Sequence, residues 1–124
     1  MKNNCTLISV VDDDESVRES LPDLIREFGF TARAFPSAEE FLASDCVVKT
    51  KCLILDIEMP GMSGPDLQRE LARRRQETPI IFITAHSSEA IRPHLLKGGA
   101  VECLIKPFSD TALLVAINAA LRAK

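Results

Sequence analysis

Four short apolar runs in this chain stop on a residue able to do chemistry. Thr6 to Val11 ends at Asp12-Asp13, Cys52 to Leu55 at Asp56, Ile80 to Ile83 at Thr84, and Val101 to Ile105 at Lys106. Carboxylates brought together repel and raise one another's pKa unless a cation lies between them. A hard divalent ion answers that need: magnesium prefers oxygen ligands and is ordinarily held by one or two carboxylates together with phosphate oxygens. A threonine hydroxyl adds a donor, and a lysine ammonium a compact positive charge. Around one carboxylate these groups make an electrostatic clamp for a transferring phosphoryl group, with Asp56 as the nucleophile. Singly, each has a plainer use as a helix cap, a strand end or a solvated rim. Only convergence gives them this chemistry, and convergence depends on the elements behind them.

Those elements alternate. Thr6-Leu7-Ile8-Ser9-Val10-Val11 is short, β-branched and mostly apolar, as a strand covered on both faces is. Val17, Leu21, Leu24, Ile25 and Phe28 then recur at helical spacing; Gly29 is placed to close that helix, and Pro22 inside it is expected to bend it. Phe30 to Phe35 reads as the second strand, and Ser37-Ala38-Glu39-Glu40 has the pattern of a capping box opening a short helix. Cys52 to Asp56 is the third strand. Pro65 suits the first position of a third helix reaching about Arg75, whose Arg73-Arg74-Arg75 end complements the helix dipole. After the fourth strand a weak helix up to Lys97 is stopped by Gly98-Gly99. After the fifth, Ser109 caps a last helix with Leu113, Leu114, Ile117 and Leu121 on its apolar side.

Five strands alternating with five helices imply right-handed crossovers and an α/β fold, a doubly wound (βα)5 three-layer sandwich around a five-stranded parallel sheet. All strand ends then gather on one edge, where ligands bind at the switch point in strand order. In the order 2-1-3-4-5 the first and third strands are neighbours about 4.8 Å apart, which crowds Asp12-Asp13 against Asp56.

Composition narrows the classes. A length of 124 residues suits one domain spanning 1–124, and 46% hydrophobic with 27% charged residues supports an ordinary core. A formal charge of −3 argues against a nucleic-acid surface covering the domain, so any DNA contact would be indirect. No apolar run approaches the roughly 20 residues needed to cross a bilayer, and the start MKNNC lacks a signal peptide's apolar stretch. A cytoplasmic protein without membrane contact is expected. The four cysteines contain no C-x-x-C pair, and Cys52 and Cys103 lie inside apolar runs, so packing is expected rather than redox or zinc chemistry, with a surface role for Cys5 or Cys46 left open.

Taken in order, VVDDDESVRESL, LILDIEMPGMSG, IFITAH and GGAVECLIKPF resemble the motifs of the receiver domain of bacterial two-component response regulators, at that family's spacing and across essentially the whole chain. The pattern is most similar to receivers that precede a helix-turn-helix DNA-binding domain, which would make the chain the N-terminal part of a longer transcription regulator; a free-standing receiver acting on a downstream protein is the alternative. The resemblance implies a flavodoxin-like fold and a phosphoacceptor, Asp56, charged by a histidine kinase. It implies that Asp12, Asp13, Asp56 and the backbone carbonyl of Glu58 hold Mg2+ or Mn2+, with Asp12 acting mainly through water. Thr84 and Lys106 would contact the phosphoryl oxygens, and Lys106-Pro107 would be a cis peptide. The phosphoryl state would bias an output surface through which the family often forms homodimers.

Two residues depart from the pattern. Many receivers carry an aromatic residue three positions before the lysine, where this chain has Cys103, which cannot fill the same volume. Pro93 falls in the helix after Thr84 and is expected to shorten it to roughly one turn. Glu58 and His86, two positions beyond the acceptor and the threonine, would flank the path of the hydrolytic water; for His86 an exposed rim position is the equal alternative. An interaction module that works without phosphorylation is the first rival reading. A dehalogenase-type phosphatase is the second: it wants an acid two residues past the nucleophile followed by Thr or Val, which Asp56-Ile57-Glu58-Met59 fits poorly.

Overall fold

A computed structural model of the chain describes residues 6–85 and 92–122. Among the described residues five strands and five helices alternate: β1 (Leu7–Val11), α1 (Glu15–Glu27), β2 (Thr31–Phe35), α2 (Ala38–Ala43), β3 (Thr50–Asp56), α3 (Gly64–Arg73), β4 (Ile80–Thr84), α4 (Arg92–Lys97), β5 (Glu102–Ile105) and α5 (Asp110–Arg122). The strands form one parallel sheet in the order β2-β1-β3-β4-β5.

The side-chain period of two divides each central strand between two cores. Leu7, Val11, Leu53, Leu55, Ile80 and Phe82 point to the face covered by Phe41 of α2, Leu67 and Leu71 of α3, and Leu96 of α4. Ile8, Val10, Cys52, Ile54, Ile81 and Ile83 point to the other, against Leu21 and Ile25 of α1 and Leu113 and Ile117 of α5. Because both faces are covered, these strands read as unbroken apolar runs. Burial pushes the Cys52 thiol up to about 12, which removes the thiolate that redox or metal chemistry would need.

Helix ends follow the chain's local chemistry. Asp14 caps α1 by accepting the Ser16 amide, and Ser37 caps α2 by accepting the Glu40 amide at 3.1 Å. At α3 the reciprocal box closes fully: Ser63 accepts from the Asp66 amide, and Asp66 accepts from the Ser63 amide. Gly64 is therefore the first residue of α3 and Pro65 the second, one place later than expected. The helix also stops sooner, at Arg73. Arg75, at φ 61°, supplies the left-handed residue that usually falls to glycine, while Gln76 N–H closes onto the Leu71 carbonyl. Arg73 and Arg74 both pair with Glu70 on the exposed helix surface. Pro22 sits inside α1 and is buried.

Where β1 meets β3 the register shifts, so that Leu7 pairs Thr50 and Ile8 pairs Cys52, leaving Lys51 as an extra residue. A buried hydroxyl pair sits beside the shift, Ser9 Oγ to Thr50 Oγ1 at 2.6 Å, with Thr50 donating to the Cys46 carbonyl at 2.7 Å. Thr50→Val keeps the shape but leaves the fully buried Ser9 hydroxyl without this partner. We expect it to cost about 1–3 kcal/mol, read as a lower urea midpoint at unchanged slope.

Candidate functional site

The sheet's register explains the site. Val11 pairs Leu55, so Asp12 and Asp56 leave adjacent strands at the same level. Thr84 pairs Ile105 at the ends of β4 and β5, and Lys106 follows, its amide donating to the Thr84 carbonyl at 2.7 Å. Four strands thus deliver Asp12, Asp56, Thr84 and Lys106 to one edge, and Asp13 enters from the turn before α1. Carboxylate oxygens of Asp12, Asp13 and Asp56 lie within 4.8 Å of one another. Asp12 is fully buried, Asp56 and Thr84 are buried, and Asp13 is exposed.

Each group is held from behind. The Asp12 amide donates to the Phe35 carbonyl at 3.1 Å, its Oδ1 accepts the Asp14 amide at 2.9 Å, and its carbonyl accepts from Arg18 Nη1 at 3.1 Å. Its second oxygen, Oδ2, lies 3.1 Å from Lys106 Nζ, a cation largely shielded from water. After Asp56 the chain turns through Ile57, whose amide donates to the Ile83 carbonyl and whose carbonyl accepts the Gly64 amide at 3.0 Å. The Lys106-Pro107 peptide is cis, as the resemblance implies.

Charge is unbalanced here. Burial, and then the Asp12 carboxylate beside it, push the Asp56 carboxyl up to about 7; Lys106 pulls it down and Asp13 adds to the rise. A group in this state needs positive charge to be ionised near neutrality. Three carboxylates at one sheet edge, two buried and one exposed, fit a hard, oxygen-seeking divalent ion that keeps part of its water shell.

The other expected residues lie around this centre. Glu58 is exposed at the start of the β3–α3 loop, two residues past Asp56. Cys103 is buried on β5 beside Phe82 of β4, in the core shared with Leu96 and Ala100. Pro93 is the second residue of α4 and exposed. His86, with the rest of 86–91, lies outside the described residues. Two supports were not read from the sequence: Gly64, whose backbone packs against the Asp56 carbonyl, and Glu39, which reaches the β3–α3 loop from α2.

Comparison with known proteins gives the same reading. The chain is 48% identical over 114 residues to nodulation protein W of Bradyrhizobium diazoefficiens, covering 92% of this chain and 50% of that protein. It is 41% identical over 122 residues to response regulator protein TodT of Pseudomonas putida, covering 98% of this chain and 54% of that protein. The chain thus spans about half the length of these curated relatives. The crystal structure of FixJ-N superposes with a TM-score of 0.87 at 37% identity, covering 96% of this chain and 95% of that one. Receivers of this kind are phosphoacceptor signalling modules of two-component systems, and their acidic residues generally bind magnesium. The family model for the response regulator receiver domain matches residues 8–118, and the chain belongs to that family.

Proposed function

We propose that Asp56 is the phosphoacceptor of a single receiver domain spanning 1–124, charged by a histidine kinase and read by an output domain on a longer chain. The observation that carries this is the convergence of three carboxylates within 4.8 Å with the Lys106 ammonium 3.1 Å from Asp12, beside the buried end of β4 at Thr84. Asp56 attacks phosphorus with a carboxylate oxygen; the bond from phosphorus to the donor breaks, and its electrons leave with the donor. Lys106 and Thr84 take the phosphoryl oxygens, supplying charge and a hydroxyl donor where negative charge accumulates. Asp12, Asp13, Asp56 and the Glu58 carbonyl would hold Mg2+, with Mn2+ as a substitute. That ion, when bound, offsets the carboxylate repulsion and neutralises the phosphoryl oxygens. The cycle is one of self-phosphorylation and loss of phosphate, not turnover of a small substrate.

The added charge on Asp56 then biases a two-state surface. Cys103 and Pro93 alter that surface in this chain, while Glu58 and His86 tune the life of the acyl phosphate. Phosphorylation-dependent homodimerisation and DNA contact through an appended domain belong to the same proposal, as does a cytoplasmic setting. No helix among the described residues is long and apolar enough to cross a membrane.

Incubation with acetyl phosphate, followed by intact mass, tests the reading. One phosphoryl group should appear with Mg2+ or Mn2+ and not with EDTA. A mass unchanged in all three conditions would favour an interaction module that does not use phosphorylation.

A further inference from the structure

We infer that Glu39 is a positioning residue that clasps the β3–α3 loop from α2 and so fixes the backbone bearing Glu58; its role in catalysis rests on the phosphoacceptor reading above. Residues 57–63 form neither helix nor strand, so their path depends on what they are tied to. At one end Gly64 N–H holds the Ile57 carbonyl, and Ser63 is locked in its capping box. Between these points a side chain 23 positions away intervenes: Glu39 Oε2 accepts the Met62 amide at 3.0 Å.

A second observation places the loop against this same carboxylate. Gly61 has φ +75°, and a Cβ there would lie 2.9 Å from the same Glu39 oxygen. The backbone therefore crosses directly over the carboxylate, in a conformation L residues rarely adopt. The apolar contacts agree, because Met59 and Met62 pack in the same core as Phe41 and Leu42 of α2. Glu39 is in the first turn of α2, where an acid already suits the helix dipole. It serves the loop in addition.

Glu58 stands four residues before Met62 in this loop, and its carbonyl is the one backbone group in the proposed cation site. Releasing Met62 should loosen that carbonyl and weaken cation binding, while Asp56, Thr84 and Lys106, carried on strand ends, stay in place. Wild type, Glu39→Ala and Glu39→Gln are compared by NMR exchange of the Met62 amide without metal, and by the Mg2+ dependence of phosphorylation by acetyl phosphate.

In Glu39→Ala, Met62 protection should fall about tenfold, as for a lost hydrogen bond to a charged acceptor. The Mg2+ midpoint should rise about three- to tenfold, with the rate at saturating Mg2+ within about twofold of wild type. Glu39→Gln keeps an acceptor oxygen and should stay within about threefold of wild type in both readouts. Unchanged Met62 protection in Glu39→Ala, equal damage from Gln and Ala, or a lower saturating rate at an unchanged Mg2+ midpoint would each overturn the assignment. If wild type takes no phosphoryl group, the phosphoacceptor reading fails, and Met62 exchange alone decides whether the clasp exists.

Discussion

In metal-free buffer at pH 7.5, Asp56→Asn should melt about 4–10 °C above wild type. The unfolded carboxyl titrates near 3.8, and the folded one is pushed up to about 7. Between those values the folded chain binds more protons than the unfolded one, so stability falls as pH rises from about 4 through about 7. Below that window Asp56 is neutral in both states and costs nothing. Above it, the folded state carries an ionised carboxylate that burial and Asp12 disfavour, at a cost of about 1–3 kcal/mol after relaxation and screening. Asparagine removes the charge at constant shape. The gap between the two proteins should therefore open from about pH 4 to 7 and stay level above, and millimolar Mg2+ should narrow it by stabilising wild type more than the variant. A gap independent of pH, or a variant no more stable than wild type, would contradict this origin of the charge imbalance.

Gly64→Ala should destabilise the fold, although it adds only one methyl. Alanine ordinarily stabilises a helix relative to glycine by about 0.5–1 kcal/mol. Here its Cβ would stand 2.3 Å from the Asp56 carbonyl oxygen, 3.0 Å from Phe82 Cε1 and 3.1 Å from the Ile57 Cα. The nearest neighbours include backbone of the strand that ends at Asp56, and the Gly64–Ile57 hydrogen bond forbids a simple withdrawal. Either the start of α3 or the end of β3 must move. We expect a loss of about 3 kcal/mol in urea unfolding, at the upper end for overpacking, and acetyl phosphate reactivity lowered with it. Gly98→Ala is the contrast. Its Cβ meets only the tip of the Gln68 side chain, 3.2 Å away, and the change should cost less than about 1 kcal/mol. Equal stability for the two variants would refute the steric argument.

The strand ends were legible in the sequence for a physical reason. A parallel sheet covered on both faces makes each strand an apolar run, so the polar residue at its end stands out, and a common strand direction sends all such ends to one edge. Helix faces could be read from their periodicity. Tertiary ties could not. Nothing in the sequence distinguishes the Gly64 that meets the Asp56 carbonyl from the Gly61 that crosses Glu39, since both sit in a turn-like PGMSG. The sequence pattern puts a capping box at Ser37-x-x-Glu40, whereas the reciprocal one is built by Ser63 and Asp66, where the shorter acid still reaches back. In the sequence Arg75 looks like part of a charged helix end; it is the residue in left-handed conformation that closes it, a position sequence preference assigns to glycine. The Lys106–Asp12 pair joins residues 94 positions apart and depends on the strand order.

The proposed mechanism requires that the phosphoryl bond form on Asp56. Borohydride reduction converts an aspartyl phosphate to homoserine, so the protein is treated with acetyl phosphate and Mg2+, reduced, digested and sequenced by mass. Homoserine at position 56 and nowhere else is the predicted result. Homoserine at Asp12 or Asp13, or a fully phosphorylated protein with Asp56 intact, would contradict it.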